Sequence, residues 1–370
     1  MPKLTHYLTL LAAAFCLMAC TPRRPAEITD SQGDTIRLRY AHNLLMIEHE
    51  GYLEAAMLNP WDTTRILRRY FIGEDPSAMP SDREATIVRA PLRHAAVFTS
   101  VHCALLEELH CAEAIGGVCE LEYIHLPFVQ EGVQRGDIID LGSGMNPNIE
   151  SIMQLQPDAL LPTPFENSGG YGRLERMGIP IVECADYMER SPLARVEWIR
   201  FYGRLFGRGA MADSLFESIE QRYLALTELA KTANRRPRML CEIPQSGYWF
   251  LPGGESTMGQ LYSDAGADYL FADLPGAGST SLSIERVLDR ALSAEVWIIK
   301  HGGLLTRKQL FRDYPTLRRI PAQTWFCDID ASNYYEETPF HPERLLENII
   351  HLLHPELDIR PSHIYFAPMD

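Results

Sequence analysis

Asn148-Ile149-Glu150-Ser151-Ile152-Met153 and Ser283-Ile284-Glu285-Arg286-Val287-Leu288 are two copies of one pattern in this chain. Each copy starts with a residue type that commonly caps helices and has a glutamate in the first predicted turn. The apolar residues, Met153 among them, recur at helical spacing and predict one buried face, which leaves Glu150 and Glu285 outside. The duplication predicts two lobes built alike, each presenting an outward carboxylate to a basic partner. The alternative is that each carboxylate only complements its own helix dipole.

Short apolar runs that alternate with predicted helices indicate parallel sheets covered by helices. The first run, 95–98, is followed by a turn and a helix. Later runs stand at 159–161, 179–182, 239–243, 296–299 and 324–327. Upstream of Pro91, β-forming residues predict hairpin strands at 34–40, 44–48 and 51–58. The predicted fold class is α/β, with two Rossmann-like lobes, a single long rigid helix between them and an extra N-terminal β element.

The helical stretch 192–229 supplies the predicted connection between the lobes. It has a seam at Gly207-Arg208-Gly209, so its first part is expected to cross between the lobes and its second part to open the next lobe. A rigid crossing helix permits only small rocking about a cleft. The expected organisation is a signal peptide (1–20), a tether with a β-hairpin extension (21–90), an N-terminal lobe (91–190), a linking helix (191–208) and a C-terminal lobe (209–370).

The first residues predict export and lipid attachment. Lys3 precedes the apolar run Leu8–Leu17, which is too short for a membrane anchor, and Leu17-Met18-Ala19-Cys20 has the form of a bacterial lipobox. Cys20 is the expected lipidation site, and the alternative is an ordinary cleaved signal peptide. We therefore expect a membrane-anchored lipoprotein in the periplasm of a bacterial cell envelope, with the choice of membrane left open.

The composition limits the class of protein. With 370 residues, 46% of them apolar, the chain is long enough for two substantial cores. Its formal net charge of −15 argues against a nucleic-acid partner, although a single pocket can still be basic. Six cysteines follow Cys20, and we expect buried thiols rather than disulfides. They are Cys103, Cys111, Cys119, Cys184, Cys241 and Cys327.

Motifs of common enzyme classes are absent from the sequence. There is no G-x-S-x-G elbow, no phosphate-binding G-x-x-x-x-G-K-[ST] loop, no H-E-x-x-H and no paired C-x-x-C. The chain is therefore expected not to be an enzyme.

Five segments in unbroken order resemble one family. They are Ala114-Ile115-Gly116-Gly117-Val118, Asn146–Glu150 with Gln156-Pro157-Asp158, Gly178–Val182, Pro237-Arg238-Met239-Leu240 and Ser283-Ile284-Glu285. The family is that of the ABC-importer substrate-binding lipoproteins for cobalamin, ferric siderophores and haem, the class III periplasmic binding proteins. The resemblance runs from about Leu92 to the C-terminus, and the region before Pro91 lies outside it.

The resemblance implies a monomeric receptor that captures a bulky metal chelate between its lobes. It would deliver this ligand to an inner-membrane permease dimer with its ATPase. In that family a glutamate on each lobe pairs with permease arginines, and the matching positions here are Glu150 and Glu285. Such pairs are charge-assisted and bidentate, and they orient docking more than they add affinity.

The pocket is expected where the strand ends of the two lobes face each other. The first lobe offers Thr99, Ser100, His102, Tyr123, Phe165, Glu166 and Asn167. The second lobe offers Tyr248, Trp249, Ser279, Thr280, His301, Tyr334 and Tyr335. Aromatic side chains suit a large flat chelate, because rings supply contact area at low entropy cost. Tyr248 and Trp249 could equally pack a core.

The identity of the chelate stays open. An iron chelate, either a ferric siderophore or haem, ranks ahead of cobalamin, and no resident cofactor is expected. In the family, tyrosines or histidines reach haem iron and arginines contact anionic siderophores. Here tyrosines and histidines are frequent among the candidates, and Arg173 and Arg176 stand near the expected mouth of the first lobe.

Two other functions also stay open. One is a receptor for a bare transition metal, with His102, His125, His301 and Glu166 as ligands. The other is an enzyme that removes iron from haem, in which His102 or His301 would take the metal.

Overall fold

The computed structural model describes residues 33–165 and 171–369. Its large sheets are an N-terminal sheet of five strands, a first-lobe sheet of four strands and a second-lobe sheet of five strands. Cys20, Glu166 and Asn167 lie outside the described residues. Within the described part of the chain, no helix combines the length and the apolarity needed to cross a membrane.

The N-terminal sheet has its strands in sequence order. Its first four strands are antiparallel, and the fifth runs parallel to the fourth. The predicted hairpin strands are present, and two further strands extend the sheet beyond them. The strands are β1 (Asp34–Ile36), β2 (Leu44–His49), β3 (Tyr52–Asn59), β4 (Asp62–Gly73) and β5 (Ala85–Arg89).

The first lobe is a parallel sheet in the order β11-β6-β7-β8 with helices between its strands. The predicted run 179–182 adds only one bridge, from Ile181 to Leu160. The strands are β6 (Ala95–Val97), β7 (Ile115–Val118), β8 (Ile139–Asp140), the short antiparallel pair β9 (Gly142–Ser143) and β10 (Asn146–Pro147), and β11 (Ala159–Leu161). The helices are α1 (Ser100–Glu108), α2 (Pro127–Arg135) and α3 (Ile149–Leu155).

Three helices follow the first lobe, and they are α4 (Pro192–Glu197), α5 (Ile199–Leu205) and α6 (Gly209–Ala230). The helix that crosses between the lobes is α6, not 191–208 as the sequence predicted. Val196, Trp198 and Phe201 pack in the first-lobe core, so α4 and α5 belong mainly to that lobe.

One apolar stripe explains why α6 crosses. Its members face the first-lobe core early in the helix and the second-lobe core late in it. They recur at steps of four and three residues, which keeps them on a single face. The first group is Ala212, Phe216 and Ile219, and the second is Tyr223, Leu226 and Ala230.

The second lobe is a sheet in the order β14-β12-β16-β17-β18, parallel except for its last strand. A separate antiparallel pair, β13 with β15, lies in the same lobe. The strands are β12 (Arg238–Cys241), β13 (Tyr248–Pro252), β14 (Asp268–Tyr269), β15 (Ser279–Ser283), β16 (Val296–His301), β17 (Gln323–Asp328) and β18 (Ala367–Pro368). The helices are α7 (Thr257–Asp264), α8 (Ile284–Ala291), α9 (Arg307–Asp313), α10 (Tyr334–Glu337) and α11 (Pro342–Leu353).

Short 3-10 helices complete the described secondary structure, at Pro76–Ala78, Ala112–Ala114, Leu121–Tyr123, Glu175–Met177, Asp186–Met188, Pro315–Arg319 and Pro355–Leu357.

The six cysteines after Cys20 are buried free thiols.

The N-terminal sheet shares one core with the first lobe. Leu44, Met57 and Ile72 from the sheet pack in the same cluster as Trp198 and Phe201. The predicted β element is therefore not a loose appendage, because its apolar face is buried against the lobe.

A buried carboxylate also fastens the chain just before β2. Glu197 is fully buried, and its two oxygens accept the backbone N–H groups of Arg39, Tyr40 and Ala41 at 2.8 to 2.9 Å. A buried carboxylate without such donors would be costly. The sheet therefore supplies donors that the first lobe requires.

Glu197→Gln is expected to lower the free energy of unfolding by about 1–3 kcal/mol, because an amide N–H2 would replace one of the accepting oxygens. Urea unfolding followed by circular dichroism measures the change. Glu217→Gln on α6 is the matched control, since Glu217 is exposed and its contact to Arg200 is 3.9 Å long. The control should change by less than about 0.5 kcal/mol. Equal losses in the two variants would contradict the anchoring role of Glu197.

Candidate ligand-binding cleft

The first cavity lies in the first lobe, at the carboxyl ends of β6, β7 and β11, and has a volume of about 490 Å³. Thr99 caps α1 by accepting the His102 backbone N–H, so α1 starts at the cavity edge. Side chains with large apolar surfaces dominate the lining. They include Phe98, Met145, Phe165 and Tyr171.

Positive charge is available in this cavity. Arg173 lines it, is exposed and forms no ion pair with any described residue. Glu120 also lines it, but its Oε1 accepts the Ser143 hydroxyl at 2.9 Å and the Gly144 N–H at 2.7 Å. That carboxylate is thus held by the turn between β9 and β10. An unpaired guanidinium beside aromatic rings suits an anionic group on a ligand.

The second cavity has a volume of about 260 Å³ and lies between the two lobes. Tyr187 and Arg195 line it from the first-lobe side. Lys300 lines it from the second lobe, with its Nζ 2.7 Å from Glu242 Oε1. Burial alone would lower the pKa of Lys300, but the neighbouring Tyr334 and Glu242 raise it well above its usual value. The lysine is therefore charged but already paired.

Tyr187 separates the two cavities. Its side chain lines the second cavity, and its hydroxyl donates to the Pro164 carbonyl at 2.5 Å. Pro164 stands between Thr163 and Phe165, which both line the first cavity. The two cavities are therefore neighbours, on either side of the contact between Tyr187 and Pro164.

His102 lies inside the first lobe rather than at the cleft. It is 4% exposed, and both ring nitrogens are engaged. Nδ1 lies 2.6 Å from Thr99 Oγ1, and Nε2 lies 2.9 Å from Asp186 Oδ1 and 3.1 Å from the Tyr202 hydroxyl. The prediction that His102 contacts the ligand is corrected on this point, because a ring bonded on both sides has no free nitrogen for a metal or chelate.

The same network reaches the second cavity through Asp186. The Asp186 carboxylate also accepts the Arg195 Nε–H at 2.9 Å and the Tyr202 hydroxyl at 2.6 Å. Burial would raise the pKa of Asp186, but the charges of His102 and Arg195 lower it overall. Burial would lower the pKa of His102, but Cys184 and Asp186 raise it to about 10. These pKa shifts favour an ionised Asp186 carboxylate between a protonated His102 and Arg195.

The other first-lobe candidates differ in position. Thr99 and Phe165 line the first cavity. Ser100 is half-buried at the start of α1, and Tyr123 is exposed; neither belongs to that lining.

Among the second-lobe candidates, Ser279, Tyr334 and Tyr335 line the second cavity. Trp249 is fully buried, and its indole N–H donates to the Cys241 carbonyl at 3.1 Å. Its placement supports the core alternative and corrects the pocket prediction.

The remaining second-lobe candidates lie outside both linings. Tyr248 is exposed on β13, Thr280 is half-buried on β15, and His301 is half-buried at the carboxyl end of β16. Their contact with a ligand stays a prediction.

The described residues, 33–165 and 171–369, include no group of three His, Cys, Asp or Glu side chains placed to hold a metal ion. Of the metal ligands considered from the sequence, His102 is bonded within its network and Glu166 lies outside the described residues.

The two capped helix starts have the predicted local structure. Asn148 Oδ1 accepts the N–H groups of Glu150 and Ser151 at 3.0 and 3.2 Å. Ser283 Oγ accepts the Arg286 N–H at 3.4 Å. Glu150 and Glu285 are both exposed, and neither forms an ion pair with a described residue.

Met153 differs from its prediction. It is 62% exposed, whereas Ile152 and Leu155 form the buried side of α3. The helix has only seven residues, so its buried stripe is narrower than the spacing indicated.

Direct bonds join the lobes beside the cleft. His341, just before α11, places Nε2 2.6 Å from Glu108 Oε2 on α1 and Nδ1 2.8 Å from Glu343 Oε1. Thr257, at the start of α7, donates its hydroxyl to the Glu189 carbonyl at 3.0 Å. The lobes are thus connected by side-chain bonds as well as by α6.

Comparison with known proteins identifies the class. A family model described as periplasmic binding protein matches residues 123–323, more than half of the chain. The chain belongs to the periplasmic binding protein family, and it is a binding protein rather than an enzyme.

Two relatives share most of the chain. One uncharacterised lipoprotein of Methanocaldococcus jannaschii is 24% identical over 348 residues, covering 86% of this chain and 82% of the relative. A second from the same organism is 21% identical over 336 residues, covering 86% of this chain and 83% of the relative.

Solved structures confirm the predicted fold of two α/β lobes joined by a long helix. A periplasmic haem-binding protein from Pseudomonas aeruginosa has a TM-score of 0.58 at 15% identity, covering 75% of this chain and 98% of its own. An Fe³⁺-hydroxamate transport protein from Saccharomonospora viridis has a TM-score of 0.53 at 20% identity, and the match covers 71% of this chain and 93% of that protein. A vitamin B12 binding protein of Vibrio cholerae has a TM-score of 0.50 at 16% identity, covering 73% and 99%.

Several lining residues were not among the sequence candidates. Glu120, Tyr171, Tyr187, Arg195 and Lys300 all line a cavity. Glu120 and Lys300 stand at or just beyond strand ends, so the strand-end rule could have found them. Tyr187 and Arg195 follow no regular strand, and no sequence pattern marks them.

The His341 bonds predict a pH dependence of stability. Burial would lower the pKa of His341, but hydrogen bonds to Glu108 and Glu343 raise it from 6.5 to about 9. Because the folded-state pKa is the higher one, the stabilisation is complete below the unfolded pKa and is lost as the pH rises through 9. His341→Gln should therefore lower the free energy of unfolding by about 3 kcal/mol at most near pH 6 and by much less at pH 10.

Urea unfolding at a series of pH values measures this difference between variant and parent. The control is His351→Gln, because His351 is exposed later in α11 and its Nδ1 contacts only the Ile359 carbonyl. If the loss of unfolding free energy in His341→Gln grew from pH 6 to pH 10, it would contradict a raised pKa of His341 in the folded state.

Proposed function

We propose that this chain is the substrate-binding protein of an ABC importer that captures an iron chelate, a ferric siderophore or haem, between its two lobes. It delivers this ligand to a permease in the inner membrane. Family membership supports the transport role. The structural likeness to haem-binding and Fe³⁺-hydroxamate transport proteins supports the ligand class.

The observation that carries the choice of ligand is Arg173. Its guanidinium is unpaired among the described residues and lies in a cavity lined by Phe98, Phe165 and Tyr171. Aromatic rings contact a flat or bulky chelate, and the guanidinium pairs with a carboxylate or another anionic oxygen. Haem propionates and anionic siderophores both offer such oxygens.

Cobalamin is the second candidate. The apolar lining, with Met145 beside the aromatic rings, supports it, as does the likeness to a vitamin B12 binding protein. Cobalamin offers Arg173 one anionic group, its phosphodiester, whereas haem offers two propionates and many ferric siderophores carry a net negative charge, so the iron chelates rank first. Bare-metal binding and haem dechelation have less support, because both ring nitrogens of His102 are already engaged.

Docking to the permease is assigned to Glu150 and Glu285. Each is exposed at the start of a capped helix, in α3 and α8 respectively, and each is free of ion pairs with described residues. A carboxylate in that position is available for a bidentate contact with an arginine of the permease.

Membrane attachment through a lipid on Cys20 completes the proposal. The lipobox pattern supports it, and so do the two relatives, which are described as lipoproteins. The binding body would then act outside the cytoplasm, close to its permease.

The purified body without residues 1–20 is expected to bind haemin or a ferric siderophore and to melt at a higher temperature with that ligand. Visible absorption and thermal shift with haemin, ferrichrome, ferric enterobactin and cyanocobalamin measure this. Arg173→Gln should weaken binding of the preferred anionic ligand about tenfold, whereas Arg318→Gln, an exposed arginine outside both cavity linings, is the control. Binding of cyanocobalamin alone would select the second candidate.

Glu150→Arg combined with Glu285→Arg is expected to abolish uptake through the cognate permease while ligand binding stays unchanged, because like charges would then face each other at the docking surface. Uptake of labelled ligand in cells measures transport. Glu50→Arg is the matched charge reversal, since Glu50 is exposed in the β2–β3 turn. Normal uptake by the double variant would refute the docking assignment.

A further inference from the structure

Strand β4 of the N-terminal sheet contacts the first lobe directly behind the first cavity. Arg68 and Tyr70 stand two residues apart and therefore share a face of the strand. Arg68 Nε donates to Glu183 Oε1 at 3.0 Å, and the Tyr70 hydroxyl accepts the Glu183 backbone N–H at 3.0 Å. The strand is thus bonded to both the side chain and the backbone of one buried residue.

The same arginine reaches the lining of the cavity. The lining includes Tyr171, Gly172, Arg173 and Leu174, which we call the 171–174 wall. Glu175 Oε1 accepts the Tyr171 backbone N–H at 3.2 Å and lies 3.6 Å from Arg68. One guanidinium therefore contacts two carboxylates, Glu183 behind the wall and Glu175 at its end.

Two incompletely bonded polar atoms are buried here, one in the wall and one behind it. The Tyr171 hydroxyl and Glu183 Oε2 are both buried and lie near each other, but neither makes a hydrogen bond of normal length and angle to a described residue. Burial raises the pKa of Tyr171, and the charge of Glu183 raises it further, so the two groups are close enough to interact. Buried polar atoms left in this way are costly and tend to be found where a structure is constrained.

We propose that the N-terminal sheet acts on ligand binding, with Arg68 as a positioning residue that holds the 171–174 wall against the first cavity through Glu183 and Glu175. The inference rests on the proposed function, since it takes the first cavity as the place where the chelate binds. Arg173 is part of that wall, so Arg68 also sets the position of its guanidinium.

Arg68 is not needed to keep the sheet in place. Glu197 holds the backbone at residues 39–41, and Glu189 accepts the backbone N–H groups of His42 and Asn43. The apolar core shared with the first lobe is a further attachment. Loss of Arg68 should therefore leave the sheet attached and release the wall, with some loss of stability because the buried Glu183 carboxylate loses its partner.

The test compares Arg68→Gln with Arg65→Gln. Arg65 is on the same strand, is exposed and forms no ion pair with a described residue, so it is a matched control. Hydrogen–deuterium exchange is measured without ligand in the peptide that contains residues 171–177. Its exchange should become several-fold faster in Arg68→Gln than in the parent, and should not change in Arg65→Gln. Unchanged exchange in Arg68→Gln would overturn the positioning role, whatever the ligand proves to be.

Binding provides the second readout. Among haemin, ferrichrome, ferric enterobactin and cyanocobalamin, the probe that the parent protein binds should bind Arg68→Gln about tenfold more weakly at a temperature well below the Tm of both proteins. The Tm itself should fall, because the buried Glu183 loses its partner. Arg68→Lys should recover part of the loss, because an ammonium can pair with Glu183 but does not span two carboxylates as a guanidinium does. Equal affinities in the Arg68→Gln variant and the parent would overturn the inference while leaving the proposed function intact.

A double-mutant cycle tests whether Arg68 affects ligand affinity through the wall or only by stabilising the protein. If Arg68 acts through the wall, Arg68→Gln should cost far less affinity in a Tyr171→Phe background than in the parent. Fully additive losses would count against the proposal. If the parent binds none of the four probes, the proposed function fails, and the exchange measurement still decides whether Arg68 holds the wall.

Discussion

The Asp186 carboxylate connects the two halves of the cleft. It lies between His102 and Arg195 and accepts the Tyr202 hydroxyl as well. Through His102 it fixes Thr99 at the first cavity, and through Arg195 it fixes a lining residue of the second. Removing the carboxylate would leave the buried His102 and the half-buried Arg195 close together without their shared counter-charge, which is more costly than losing a surface pair. The shape of both cavities therefore depends on this one group.

Three more buried carboxylates stand on the same segment, residues 183–197. Glu183 contacts Arg68 and Tyr70 of β4, whereas Glu189 and Glu197 accept backbone N–H groups upstream of β2. A carboxylate accepts several hydrogen bonds at once. Glu189 and Glu197 can therefore order residues 39–43, which lie between β1 and β2 and have no regular structure. The segment 183–197 thus joins the N-terminal sheet, the first lobe and the inter-lobe surface without contributing a strand to any sheet. Part of the chain's excess of acidic residues is consequently structural.

Much of the architecture was predictable from sequence, because it follows from local patterns. The helix caps at Asn148 and Ser283 formed as expected, as did the parallel strands except the run 179–182. Thr99 and Phe165 follow β6 and β11 and line the first cavity. Buried charges were not predictable in the same way, since glutamates are usually exposed and nothing local marks Glu197 as buried. Trp249 failed as a pocket residue for a related reason, because an aromatic ring beside a strand end suits a core and a pocket equally. The crossing helix lies later in the chain than predicted, because the apolar stripe that reaches both cores runs along α6, after the glycine seam.

In this chain the N-terminal sheet and the first lobe depend on each other for an energetic reason. Without the sheet, Glu189 and Glu197 would lose backbone donors while still facing a core, and that cost has no local compensation. The comparisons agree with this reasoning. The solved relatives leave about a quarter of this chain uncovered, although nearly all of each relative is matched. The first archaeal relative leaves only about one seventh uncovered, so its match must include part of the region before Pro91. The match to that relative therefore extends beyond the two lobes of this chain.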